Sequence, residues 1–366
     1  MTLNNIALPH VPGLPVYEPG RPIEEVAREL GLRPDAVIKL ASNENPLGPS
    51  PKAVAAMRRA LKNVHLYPDG GGFYLRQGLA EHLGVGMDNI VLGNGSNEII
   101  ELLFHAFVAP GDEVIYSERA FAIYMLCAGL FRAKPVAVPM KGHTHDLDAM
   151  LAACNGRTKL VFVANPNNPT GTRVANDALC RFLDHVPQHS IVAVDEAYFE
   201  FLDDPPDTLR FITRKRAPNI ILMRTFSKIV GLAGLRVGYG IAGKEMVALL
   251  NRVRQPFNVN AVAQAGALAA LDDRAHIERT RQSNRRGRAY LEAEFNKLRL
   301  EFIPSAANFI CVRVGDGAKL FVALQKRGVI VRPMAGYAMP EWVRVTVGTM
   351  PENRRLVREL KRVLAA

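Results

Sequence analysis

Cysteine is scarce in this chain: four residues, at positions 127, 154, 180 and 311, and no Cys-x-x-Cys pair among them. That spacing excludes a disulfide scaffold and a zinc ribbon, and the expectation is four buried thiols in a reducing compartment. No run of about eighteen apolar residues occurs, so no membrane-spanning helix is expected. Residues 1–20 lack a basic start followed by an apolar stretch, which argues against a secretory leader and for a cytoplasmic protein. Solenoid-length repeats and low-complexity tracts are also missing. Metal motifs are incomplete. His143-Thr-His145 has no third ligand at useful spacing, and Asp203-Asp204-Pro-Pro-Asp207 reads as a solvated turn before a helix.

Basic residues outnumber acidic ones by 46 to 35, a net charge of +11. Such an excess suits a nucleic-acid binder, but its distribution does not. The arginines gather at Arg214–Arg216, Arg279–Arg288 and Arg354–Arg362, with Glu278 and Glu292 flanking the second run and Glu359 inside the third. Those runs read as solvated helix faces, and neither zinc-finger spacing nor an RNA-binding aromatic motif accompanies them, so nucleic acid is not expected as a partner.

What the chain does have is length and apolar residues. With 366 residues, 48% of them hydrophobic, it can bury the cores of two packed domains. Residues 1–22 are rich in proline and glycine and read as an extended arm, followed by a short helix over Ile23–Leu30. Ser50 then offers an N-cap with Pro51 at the first helical position. Beyond it, apolar runs at Ile90–Leu92, Glu113–Tyr116, Val136–Val138, Lys159–Val163, Ile191–Val194, Ile220–Met223 and Arg236–Ile241 read as strands. They alternate with helices over Glu98–Val108, Ala120–Leu130, Leu147–Cys154, Asp177–His185 and Thr208–Arg214. This alternation predicts an α/β fold whose mostly parallel, seven-stranded sheet is covered on both faces.

After about residue 260 the pattern changes. A long helical stretch, Ala261 to Leu298 with a break near Asp272–Asp273, leads into strands at Asn308–Val314, Val329–Arg332 and Val343–Val347. Helices at Ala318–Lys326 and Glu352–Leu364 are mixed with them, as in a smaller α+β domain. The expected division is 1–44 for the arm and part of the small domain, 45–260 for the large domain, and 261–366 for the small one.

The residues able to do chemistry fall at the carboxyl ends of the expected parallel strands, where open α/β sheets hold ligands. Gly93-Asn-Gly-Ser-Asn-Glu98 follows one strand and opens a helix, which suits a phosphate. Glu98 stands where a dinucleotide fingerprint needs its third glycine, which disfavours NAD. Asn165-Pro-Asn-Asn-Pro-Thr-Gly171 follows a second strand and offers Asn168. Asp195-Glu-Ala-Tyr198 ends a third, and a carboxylate there is costly to bury without a positive partner. Thr225-Phe-Ser-Lys228 ends a fourth, and a lysine desolvated at such a position can form a Schiff base.

In these four motifs, and in Tyr17–Ile23, Lys39–Gly48, Tyr67–Gly70 and Arg344–Thr349, the sequence resembles the fold-type-I pyridoxal-phosphate aminotransferases over nearly its whole length. Within that group it is similar to the histidinol-phosphate branch. The resemblance implies pyridoxal 5′-phosphate as cofactor, with Lys228 as its covalent attachment and proton carrier and Asp195 on its ring nitrogen. Tyr198 and Asn168 would hydrogen-bond the ring oxygen, and Phe121 would stack on the ring. Gly95, Ser96, Asn97, Ser227 and Arg236 would hold its phosphate, joined by Tyr67 from the neighbouring subunit of a homodimer. Asn97 stands where relatives often have aspartate. Tyr17, Asn43, Arg332 and Arg344 would bind substrates, Arg344 through their α-carboxylate and Arg332 with Tyr17 through a substrate phosphate.

The implied reaction moves an amino group between histidinol phosphate and 2-oxoglutarate or glutamate, a step of histidine biosynthesis. Transamination of phenylalanine or tyrosine is the nearest alternative. A threonine-phosphate decarboxylase shares the scaffold, and a nucleic-acid-binding protein is the reading from outside enzymology.

Overall fold

The computed structural model describes residues 3–17, 19–213 and 219–365. The Arg214–Arg216 run, and with it the end of the helix expected over Thr208–Arg214, lies outside them. In chain order a short β1 (Ile38–Lys39) precedes β2 (Ile90–Gly93), β3 (Glu113–Ser117), β4 (Lys134–Val138), β5 (Thr158–Ala164), β6 (Ile191–Asp195), β7 (Ile220–Thr225) and β8 (Gly238–Ala242).

Strands β2 to β8 form one seven-stranded sheet in the order β2-β8-β7-β6-β5-β3-β4. Every pairing is parallel except the two made by β8, which runs antiparallel to both its neighbours. Period-two alternation sends successive residues to opposite faces, and both faces are covered. On β5, Val161 and Val163 join one apolar layer with Leu179 and Leu183, while Leu160 and Phe162 join the other with Phe104 and Tyr124. Strand β4 lies at the edge, with Lys134 and Pro135 exposed. A proline and a charge there discourage pairing with another sheet.

The expected strand over Arg236–Ile241 starts two residues late, at Gly238. Arg236 has a left-handed backbone (φ 54°), which ends the short 3-10 turn Ala233–Leu235 and excludes it from a pleated strand. Two helices not read from the sequence, Phe73–Leu83 and Lys244–Val253, flank the sheet. The arm contains 3-10 turns at Leu3–Asn5 and Val11–Gly13 rather than being wholly extended. Ser50 does cap the helix Pro51–Ala60, its hydroxyl accepting from the Ala53 amide.

The long helical stretch is two helices, Ala261–Leu271 and Arg274–Lys297, and Asp273 caps the second. The first packs Ala263, Ala267 and Ala270 into the large-sheet core. Then come β9 (Phe302–Ile303), β10 (Phe309–Arg313), β11 (Val329–Ile330), β12 (Arg332–Pro333) and β13 (Trp342–Thr346). Four of them form an antiparallel sheet ordered β12-β13-β10-β9, while β11 pairs with β1 in parallel. The strand expected over Val329–Arg332 is therefore shared between two sheets. Leu291, Phe295, Ile310, Val345 and Leu356 are among the residues of a separate apolar core here. No helix among the described residues is long and apolar enough to cross a membrane.

One close backbone approach brings the segment before the helix Pro51–Ala60 to the loop after β7. Gly231 has φ +79°, and a Cβ on it would lie 2.3 Å from the carbonyl oxygen of Gly48. Gly231→Ala is expected to cost about 2–4 kcal/mol, from a left-handed alanine and a backbone overlap together. Gly234, three residues on, faces open space. Gly234→Ala should stay within about 0.5 kcal/mol of wild type, both variants being compared with it by urea titration.

Candidate active site

Strands β5, β6 and β7 run side by side in parallel, so their carboxyl ends deliver three loops to one edge of the sheet. Asp195 is the last residue of β6, Asn165 follows β5 directly, and Lys228 lies three residues beyond β7. They open onto one cavity. Thirteen of the fifteen expected site residues line it: Tyr17, Asn43, Ser96, Asn97, Phe121, Asn168, Asp195, Tyr198, Ser227, Lys228, Arg236, Arg332 and Arg344. Gly95 does not line the cavity but lies against Arg236, and Tyr67 faces outward.

Lys228 is partly buried, and its Nζ donates at 3.5 Å to the carbonyl oxygen of Ser42. Burial, with Arg344 and Arg236 nearby, brings its pKa down to about 8, against the pull of Glu44 and Asp195. Asp195 is buried. Its Oδ2 accepts from the Tyr124 hydroxyl at 2.7 Å and its Oδ1 from the Ala197 amide at 3.1 Å. Burial pushes its pKa up, and the two donors and Lys228 oppose that rise. A buried carboxylate touched by neutral donors is suited to a cationic N–H.

Glycines let the phosphate-type pocket close. The helix Ser96–Phe107 begins after Gly95, whose φ of +75° turns the chain away from β2. A Cβ on Gly95 would lie 2.3 Å from Arg236 Nη2. Arg236 also donates to Ser227 Oγ at 3.3 Å. A helix N-terminus, a hydroxyl and a guanidinium thus converge, a setting for a phosphate dianion. Among the described residues no carboxylate forms an ion pair with Arg236.

The opposite wall belongs to the second sheet. Arg344 of β13 is only 7% exposed, yet among the described residues no carboxylate pairs with it. It donates to the side-chain Oδ1 of Asn168 and the backbone carbonyl of Ala41, and its Nε is buried without a partner. A buried guanidinium in that condition is a site for an external carboxylate. Because Asn168 Oδ1 is occupied by Arg344, its side-chain amide nitrogen is the group free to donate into the cavity. Asn43 is left-handed (φ 56°), and its side-chain amide donates to the Tyr198 hydroxyl at 2.9 Å. Its backbone amide donates to Thr346 Oγ1, which ties this segment to β13. Burial raises the Tyr198 hydroxyl to about 12.

Taken together, these features fit pyridoxal phosphate: an amine of lowered pKa, a buried carboxylate, and an anion cradle on one wall of one cavity. Sequence reasoning missed Tyr124, which contacts Asp195, and Tyr337, which lines the cavity. Tyr124 had one legible signal, a tyrosine three residues after Phe121 in an otherwise apolar helix. His145, expected in a loop pair, is instead a buried tie between the ends of β3 and β5. Its Nε2 donates to the Ala164 carbonyl at 2.7 Å and its Nδ1 accepts from Ser117 Oγ at 2.5 Å. Burial lowers it to about 4, so it is neutral at physiological pH. No group of three or more His, Cys, Asp or Glu among the described residues is placed to hold a metal ion.

The pKa of Lys228 makes a kinetic prediction. Its amine is protonated and unreactive below that pKa and nucleophilic above it. The rate at which cofactor-free protein captures pyridoxal phosphate is therefore expected to rise with pH and level off near 8, followed by stopped-flow absorbance. A rate still climbing toward the ordinary lysine value of 10.5 would mean that the amine is not desolvated.

The family model for aminotransferase class I and II matches residues 35–360. The chain is 50% identical over 365 residues to a histidinol-phosphate aminotransferase of Akkermansia muciniphila, covering all of both chains. It is also 50% identical to histidinol-phosphate aminotransferase 2 of Pseudomonas fluorescens, over 98% of each. Among solved structures, the histidinol-phosphate aminotransferase of Sinorhizobium meliloti in complex with pyridoxal-5′-phosphate superposes with a TM-score of 0.88 at 27% identity. That match covers 98% of this chain and 97% of the other. With a matching family model over most of its length and half-identical relatives end to end, the chain belongs to the class I and II aminotransferases.

Proposed function

We propose that the protein transfers an amino group between histidinol phosphate and 2-oxoglutarate, using pyridoxal phosphate, in the cytoplasm as a step of histidine biosynthesis. The observation that carries this reading is the set of three arginines around one desolvated amine. Arg236, Arg332 and Arg344 line the same cavity as Lys228. Three anions require them: the cofactor phosphate, the donor's phosphate and the acceptor's α-carboxylate.

When bound, pyridoxal phosphate supplies an electron-accepting ring that stabilises negative charge at the donor Cα. Asp195 would accept the hydrogen bond of the ring N–H and keep that proton in place. Tyr198 and the amide of Asn168 would donate to the ring oxygen, and Phe121 would cover a ring face. Ser96, Asn97, Ser227 and Arg236, with Gly95 giving them room, would hold the phosphate. Lys228 Nζ would attach the cofactor and move the proton at the donor Cα, for which a pKa near 8 is well matched to neutral pH. Arg344 grips the α-carboxylate of 2-oxoglutarate or glutamate, Arg332 and Tyr17 bind the phosphate of histidinol phosphate, and Asn43 orients Tyr198 at the substrate's edge.

We read residues 45–260 as the large domain, with 1–44 and 261–366 contributing the arm and the small domain. We also read the active unit as a homodimer. Tyr67 is 84% exposed and stacks on Phe257, with Leu61, Val64, Leu66, Phe73 and Tyr74 exposed nearby in sequence. Apolar groups at this density favour burial against a second copy, from which Tyr67 would reach the partner's cofactor phosphate. Sedimentation equilibrium is expected to give twice the 40.2 kDa chain mass, and a monomer at micromolar concentration would contradict the shared site.

The donor is tested with the holoenzyme and 2-oxoglutarate by measuring glutamate formed from histidinol phosphate or from phenylalanine. Histidinol phosphate is expected to win by about a hundredfold or more, since a site built for a phosphate rejects a donor without one. Arg332→Ala should abolish that preference while sparing phenylalanine turnover. Equal losses on both donors would remove Arg332 from phosphate recognition, and a preference for phenylalanine would make the protein an aromatic amino-acid aminotransferase.

A further inference from the structure

Tyr124 stands behind the cavity, not in it. It is the third residue of the helix Ala122–Leu130 and is completely buried. Its ring stacks on Phe162 of β5, centroids 4.4 Å apart and planes within 8°, and meets Phe121 edge-on at 5.8 Å. The surrounding cluster is apolar, with Phe104, Phe162, Ala193 and Met223 among its members. For packing alone a phenylalanine would serve here, because a buried hydroxyl is costly unless it is paired.

The hydroxyl is paired, at 2.7 Å, with Asp195 Oδ2. Burial and the Asp195 charge push the tyrosine pKa well above its ordinary value, so the phenol keeps its proton and donates. A carboxylate held by one donor can swing about its broad terminal torsion. With the Ala197 amide on Oδ1 and Tyr124 on Oδ2, both oxygens of Asp195 are held and its plane is defined.

We propose that Tyr124 is a positioning residue for the amino transfer: its hydroxyl fixes the Asp195 carboxylate, and its ring seats Phe121. One buried side chain thereby orients two groups that line the cofactor cavity, on two different elements. The inference rests on the reading of Asp195 and Phe121 as cofactor contacts.

The test compares wild type, Y124F, D195A and the Y124F/D195A double variant as holoenzymes, at a temperature where circular dichroism finds all four folded. Y124F keeps the ring and removes the hydroxyl. It is expected to lower kcat about ten- to a hundredfold, the worth of one hydrogen bond to a charged group, with donor KM changed less than about threefold. The dissociation constant for pyridoxal phosphate should rise about tenfold or more. In the D195A background, adding Y124F should change neither quantity by more than about twofold, because the hydroxyl then has no carboxylate to hold. Y124F values within twofold of wild type would overturn the proposal, as would losses that multiply in the double variant. A wild type that neither retains pyridoxal phosphate nor transfers amino groups would overturn the reading of the site itself, a distinct result.

Discussion

Two opposite charges desolvated at neighbouring strand ends, and not spent on each other, are the constraint around which this molecule is arranged. Asp195 ends β6 and Lys228 follows β7, strands held in parallel register with Asp195 opposite Met223. A direct ion pair would satisfy both groups and leave nothing for a ligand. Instead Asp195 takes neutral donors, and Lys228 donates to a backbone carbonyl. Each retains an unmet preference, for a cation on one side and for loss of a proton on the other. Burial creates both preferences.

The cost of such burial is offset by apolar packing on either face of the sheet. The parallel strands alternate their side chains between two full layers, so their ends are rigid where the loops begin. On one face the stack of Phe104, Phe162 and Tyr124 leads from core to carboxylate. A rigid support matters because catalytic groups tolerate little displacement.

The second sheet completes the site through the segment after β1. Asn43 hydrogen-bonds both Tyr198 and Thr346, and the Asn308 amide donates to the Asn43 carbonyl. Arg344 bridges to Ala41 and Asn168. Those contacts draw residues from positions 41 to 346 around one cavity. They hold the left-handed Asn43 where three chain segments meet.

Much of this was legible from the residues. Apolar runs bounded by turns located the seven strands, because fully buried parallel strands have a sequence signature of their own, and the four motifs at their ends marked the cavity's lining. Individual boundaries were less legible. Arg236 reads as strand by composition, and only the turn that aims it beside Gly95 forces its left-handed backbone. The run Val329–Arg332 looks like one strand, yet its halves pair with β1 and β13, a division that depends on partners hundreds of residues away or on another sheet. Tyr124 and His145 look like ordinary core and loop residues, and their partners, Asp195 and Ala164, become neighbours only when parallel strands are laid side by side. Local propensity and periodicity therefore determined the class of fold, the order of its elements and the residue types gathered for catalysis. Tertiary structure decided which charges remain without a counterion, since desolvation and pairing are properties of contacts made across the chain and not along it.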